Sequence, residues 1–216
     1  MNINRFFIYI AVLVLGITGV SGAAGISAKA CSSVPVLSIA QGARSENADL
    51  RVYTPYELGC MAQYYYKRTD PNGFYPPEAD CQVQKDGTYV ITLYESKVDK
   101  ANNPYYMTYA QYSINVNGKG QDRQSGKEMD LTLYSKVYTP EELCKLAQNY
   151  FYIVNDFYPP DASYTANEDG TYTICLFESS DDEEGTSHNA TCGWYTVNVC
   201  GMGTDDLMMQ SIDING

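Results

Sequence analysis

One stretch of this chain occurs twice, and that duplication limits the fold more than any other feature. One copy opens at Val52 with VYTPYEL, and the other opens at Val137 with VYTPEEL, 85 residues later. Farther along, Tyr75 and Tyr158, Asp86 and Asp169, Tyr112 and Tyr195, Gly118 and Gly201, and Asp130 and Asp213 each lie 83 apart. The second copy has therefore lost two residues before the shared Tyr-Pro-Pro, where the first reads Asp70-Pro71-Asn72-Gly73. The folding unit must be one that about 80 residues can complete. A unit of that size buries only roughly 60–65% of its unfolded surface, so it gains from a neighbour to pack on.

Each copy begins with a helix signal. Thr54-Pro55 with Glu57, and Thr139-Pro140 with Glu141 and Glu142, put a capping hydroxyl before a proline at the first helical position and acids in the first turn. Leu58, Met61, Ala62 and Tyr65, and likewise Leu143, Leu146, Ala147, Tyr150 and Val154, recur at three- and four-residue steps and mark one inward face. The helix must end before Tyr-Pro-Pro, because proline lacks a donor and restricts its predecessor. A hairpin follows around Asp86-Gly87 and Asp169-Gly170. Glycine at the third loop position suits a three-residue loop and pairs Ala79 with Leu93, Cys81 with Ile91, Val83 with Tyr89, Ala162 with Leu176, Tyr164 with Ile174 and Ala166 with Tyr172. A third strand places Tyr112, Ile114 and Val116, or Tyr195, Val197 and Val199, inward. The pairs Gly118/Gly120 and Gly201/Gly203 lack the strand-to-helix setting of a nucleotide loop and read as turns before a short final strand.

The expected fold class is α+β: two tandem repeats, residues 51–134 and 135–216, each one helix packed on a three- to four-stranded antiparallel meander. Residues 25–50 read as a linker or entry segment. Residues 1–24 read as a signal peptide or N-terminal anchor, with Arg5, an apolar run from Phe6 to Val20 and small residues behind it. Removal is expected near Ala24 or after Ala30. If the segment stays, residues 6–24 are the only part expected to meet a membrane. Either way the remainder is expected outside the cytoplasm, secreted or held at the cell surface.

Charge and cysteines narrow the chemistry. A formal net charge of −12 repels phosphate backbones, so no nucleic-acid partner is expected. None of the seven cysteines has a cysteine at the matching position of the other copy, so the unit itself depends on no particular bridge. Their spacing fits no zinc pattern, and no metal or other cofactor is expected. The one histidine, His188, falls in what reads as a long loop and has no companion nucleophile. The run from Asp181 to Glu184 lacks the ligand spacing of a calcium loop. No catalytic constellation emerges, and the chain is not expected to be an enzyme.

The motifs YPP, (E/K)DGTY, WYTV, GxGTDD and SIDI resemble a repeat of uncharacterised secreted or surface proteins of Gram-positive bacteria. The order of helix then meander is similar to PepSY-type secreted domains and, more distantly, to the layout of β-lactamase inhibitor protein. The resemblance spans about residues 51–216 and implies a non-catalytic extracytoplasmic module, with no site residues to carry over.

The copies differ most on the face turned from the helix. There the second copy is read to present Cys175, Phe177, Cys192 and Trp194, where the first has Thr92, Tyr94, Tyr109 and Gln111. Trp194 is the only tryptophan. These four residues form the candidate interaction face, to be covered by the first copy, the entry segment or another protein. The function expected is a binding or protein-interaction module, possible inhibitors included, with another extracellular or cell-surface protein as partner. The alternatives are a structural spacer of a surface protein or, less favoured, a secreted hydrolase.

Overall fold

The computed structural model describes residues 51–181 and 187–215, all within one compact unit. The leader and entry segment expected before residue 51, and most of the acidic run after Asp181, lie outside the described residues. The class is α+β, with two helices and two five-stranded antiparallel sheets.

Helix α1 spans Pro55–Thr69 and α2 spans Pro140–Asn155. Both start on a full capping box: Thr54 Oγ1 accepts from the Glu57 amide while Glu57 accepts from the Thr54 amide, and Thr139 and Glu142 do the same. Helix α2 stops at Asp156, which takes a left-handed conformation with φ 56°. After α1 come β1 (Glu78–Val83), β2 (Tyr89–Val98), β3 (Pro104–Ile114), β4 (Lys119–Asp122), β5 (Glu128–Asp130) and a 3₁₀ turn at Leu131–Leu133. After α2 come β6 (Asp161–Ala166), β7 (Tyr172–Asp181), β8 (Ser187–Val197), β9 (Met202–Asp205) and β10 (Gln210–Asp213). Each sheet is a plain meander in which sequence neighbours pair.

The hairpin register read from the Asp-Gly turns is the one observed at all six pairs. Gly87 and Gly170 take φ values of 83° and 86°, the left-handed conformation that closes a three-residue loop. Two expectations need correcting. Each sheet has five strands and not three or four, because the second glycine of each Gly-x-Gly pair lies in a strand. A Cβ on Gly120 would stand 1.8 Å from the Ser113 carbonyl oxygen, and one on Gly203 equally close to that of Thr196. These glycines let β4 and β9 approach the strand before them. His188, expected in a loop, lies in β8 in register with Ser180, because the β7–β8 ladder runs on past its bulge.

Helix α1 and its sheet close over Leu58, Met61, Ile91, Leu93, Ile114 and Leu131; α2 and its sheet close over Leu143, Ala147, Ile174, Leu176 and Val197. The helices differ in their surroundings. Seven consecutive residues of α1, Leu58 to Tyr64, are buried, so this helix is covered on both sides. Helix α2 buries only Leu143, Cys144, Ala147 and Gln148, a single stripe. The second cover of α1 comes from the other half of the chain. Val137, Val199 and Cys200 belong to the core cluster of α1, and Tyr172 packs against it. Asn198 Nδ2 donates to the Tyr75 hydroxyl at 2.9 Å, and the Tyr75 hydroxyl donates to Gln63 Oε1 at 3.3 Å. Lys67 pairs with Asp213, and the Tyr56 ring lies so close over Gly170 that a Cβ there would meet it at 2.8 Å. Helix α1 thus rests on its own sheet with one face and on the turn end of the second sheet with the other. Among the described residues no helix is long and apolar enough to cross a membrane.

Candidate functional site

Two features stand out on the second sheet, one at each end of the surface turned from α2. At the turn end, the roof of α1 and β1 leaves a cleft of about 480 Å³. Its walls from the first half are Tyr56, Tyr75 and the sulfurs of Cys60 and Cys81; its floor includes Asp169, Thr171, Thr196, Asn198 and Thr204. The strand register aligns Thr165, Thr173, Thr196, Thr204 and Ser211 in one row across all five strands. One carboxylate holds two hydroxyls of this row, and another holds that of Thr171 in the turn beside it. Asp206 accepts from Thr196 through Oδ2 and from Thr204 through Oδ1, both at 2.7 Å. Asp169 Oδ1 accepts the amide and the hydroxyl of Thr171, which holds its carboxyl below the usual range.

Burial dominates the titration of the roof. It raises the Tyr56 and Tyr75 hydroxyls and pushes the Cys60 and Cys81 thiols up to about 12; Cys200, beside Cys60, is raised as well. These sulfurs stay protonated near neutrality and are weak nucleophiles. The described cysteines are free thiols. Among the described residues no group of three or more His, Cys, Asp or Glu is placed to hold a metal ion, and no buried side-chain polar atom lacks a partner.

At the other end lies Trp194, 41% exposed. Cys175 is its cross-strand partner, and Phe177 is half-buried opposite Thr191. Cys192 departs from the expected face. The register shifts between Leu176 and Phe177, which leaves Cys192 out of the pairing, and it packs against the cluster under α2. A bulge adds one residue and reverses the alternation beyond it. The first sheet carries the same shift between Leu93 and Tyr94, and there Tyr109 turns to Tyr66 of α1 and to Phe74. The face read as four residues thus keeps Trp194, Cys175 and Phe177 and loses Cys192.

Its place is taken by residues that the strand pattern did not single out. The Asp206 amide donates to the Trp194 carbonyl at 2.9 Å, so the turn from β9 to β10 springs from directly beside the tryptophan. That turn presents Leu207, Met208 and Met209, which are 57%, 69% and 86% exposed. The corresponding turn of the first sheet has the same frame. Arg123 donates to Gln111 as Asp206 does to Trp194. Asp122 Oδ1 accepts from the amides of Gln124 and Ser125, as Asp205 Oδ1 does from those of Leu207 and Met208. Gly126 and Met209 both take positive φ, 69° and 54°. On one backbone frame, the first sheet has Gln111, Gln124, Ser125 and Gly126 where the second has Trp194, Leu207, Met208 and Met209. Aligning the two copies at their offset of 83 would have shown the exchange in the turn as well as at the tryptophan. Comparison of the chain with known proteins finds no matching family model, curated protein or solved structure.

Proposed function

We propose that the chain is a non-catalytic, extracytoplasmic protein-interaction module, built as a tandem of two equivalent helix-and-meander units of which the second carries the contact surface. The observation that carries this reading is the apolar tip of Trp194, Leu207, Met208 and Met209 on a turn that is polar in the first unit. Solvent exposure gives no reason to replace glutamine, serine and glycine by leucine and methionine there. Holding methionine at a φ of 54° also costs roughly 1 kcal/mol relative to glycine. Tryptophan is the residue most enriched at interface hot spots, and methionine adapts to irregular apolar partners. The duplication in sequence, the shared capping boxes and the matched turn frames support the tandem; the apolar run from Phe6 supports export.

The test transplants the first unit's turn onto the second: Leu207→Gln, Met208→Ser and Met209→Gly together with Trp194→Gln. The native chain is expected to retain a surface or secreted protein of its own culture, and the transplanted chain to lose it, with a melting temperature no lower than the parent's. Equal retention by both chains would remove the tip from the reading. Intact mass of material recovered from the culture tests the export, which fails if the chain is found in the cytosol with Met1 in place.

A further inference from the structure

The cleft under α1 is a different surface from the apolar tip, and the threonines of its floor have a one-sided hydrogen-bonding polarity. A carboxylate only accepts, so the direction of each threonine–carboxylate contact in the floor is fixed. Thr171 donates its hydroxyl proton to Asp169, and Thr196 and Thr204 donate theirs to Asp206. A threonine oxygen has two lone pairs; that of Thr171 uses one for Asn167 Nδ2, at 2.9 Å. What the three hydroxyls have left to offer the cleft is acceptor capacity, with a carboxylate behind each. Both bonds from Thr171 fall on Asp169 Oδ1, so Oδ2 adds to that capacity.

The rest of the cleft points the same way. Tyr56 contributes an aromatic ring to the roof, and no Lys, Arg or His lines the space. Lys67 of α1, whose ammonium meets the sulfur of the lining residue Met202 at 3.4 Å, is paired with Asp213. At the start of α1, whose dipole would oppose a positive charge, the Glu57 amide is taken by Thr54 Oγ1 and the Glu57 carboxylate lies over the cap. A net charge of −12 raises the local concentration of cations around the whole molecule.

We propose that this cleft binds an organic cation, an alkylammonium or guanidinium group, seated beside the Tyr56 ring on the acceptors of Thr171, Thr196, Thr204 and Asp169. Ammonium and guanidinium groups donate and never accept, which matches the floor, and the face of a tyrosine ring attracts them. The threonine hydroxyls and Asp169 offer an anion only acceptors. A neutral sugar brings acceptors of its own that the threonine hydroxyls and Asp169 cannot answer. The inference goes beyond the apolar tip and does not depend on it.

Calorimetric titration of the full chain tests it, with agmatine and spermidine as free amines, a short acetylated peptide bearing one arginine, cellobiose as the neutral probe and inorganic phosphate as the anion. The cations are expected to bind at Kd values of about 1 mM or below, and more weakly as salt is added. Asp169→Asn is expected to weaken them about tenfold and Tyr56→Leu about threefold, while Trp194→Gln leaves them unchanged. A peptide clearly tighter than agmatine identifies a basic protein as the source of the group; equal values identify a free amine. Cation binding that Asp169→Asn and Tyr56→Leu leave intact is general attraction to an acidic chain and overturns the site. Binding of cellobiose or phosphate in place of the cations overturns the assigned chemistry. If both variants prove unstable by melting, Thr204→Val, at an exposed position, takes their place and is expected to weaken the cations severalfold.

Discussion

Met209 shows how a single residue can be placed against its own conformational preference. Its φ of 54° suits the glycine that stands at the matching position of the first unit. Met209→Gly should therefore leave the fold intact and raise unfolding stability by about 1 kcal/mol or less, since the gain in strain is partly offset by a more flexible unfolded chain. Chemical denaturation measures this, and a loss of stability would show that the methionine is held by contacts within the chain. Cys60 is the opposite case, a residue suited to its buried place and titrating far from its usual range. Its thiol is pushed up to about 12 by burial, against roughly 8.5 in an unfolded chain. The folded state thus keeps its proton longer than the unfolded one. The associated stability is complete below about pH 8.5 and falls as pH rises toward 12, by up to roughly 1.4 kcal/mol per pH unit from this group. Melting scans should show the decline, and Cys60→Ser, which has no thiol to ionise, should make it shallower. A pH profile unchanged by that substitution would count against the burial of this sulfur.

Among the elements, the helices are the most directly encoded. Thr54→Ala and Thr139→Ala should each lower stability by about 1 kcal/mol, because each removes one half of a capping box and exposes an amide of the first turn. Urea midpoints of the two variants check this, and no change in either would mean that the cap is replaced by solvent. The hairpins were equally legible, since a glycine at the third loop position leaves only one register that keeps Ile91, Leu93, Ile174 and Leu176 on the same side. The bulges were not. A single inserted residue at Tyr109 or Cys192 disturbs no composition or period, yet it carries that side chain to the other face of the sheet. The fourth strands were hidden for a related reason. Gly120 and Gly203 look like turn residues, and only the close approach of neighbouring backbone reveals why a strand needs glycine there. The double burial of α1 was visible only by comparison: Tyr56 and Cys60 stand where α2 has Glu141 and Lys145, both exposed. The apolar turn escaped notice because three unpaired residues between short strands form no pattern of their own.

The whole molecule depends on the joint where α1 meets the second sheet. Tyr75→Phe removes the hydroxyl that links Gln63 to Asn198 and leaves their amides in a half-buried place, so it should cost about 1–2 kcal/mol. A two-step melt would indicate that the halves come apart before either unfolds; a single step shows that the joint and the cores fail together. The joint also has a direction. It sets the helix side of one unit on the sheet side of the next, and those are different surfaces. A contact of that kind is heterologous and does not close on itself, so nothing in its geometry stops a third unit or a second molecule from adding in the same way. On the proposed duplication, the seat on the first sheet still has Gly87 and Asn115, the counterparts of Gly170 and Asn198, and the second unit still offers Tyr158 in the place of Tyr75. Two things differ: the seat, where Asn117 and Lys119 stand for Cys200 and Met202, and the docking helix, where Glu141 and Lys145 put charge at the positions through which Tyr56 and Cys60 enter the joint. On that reading, the charged helix and the polar seat together oppose a further joint. Giving both sides the residues of the existing joint, Glu141→Tyr and Lys145→Cys with Asn117→Cys and Lys119→Met under reducing conditions, should make the sedimentation coefficient rise with concentration more steeply than the parent's. The polar ends of this small protein would then be what separates it from a filament.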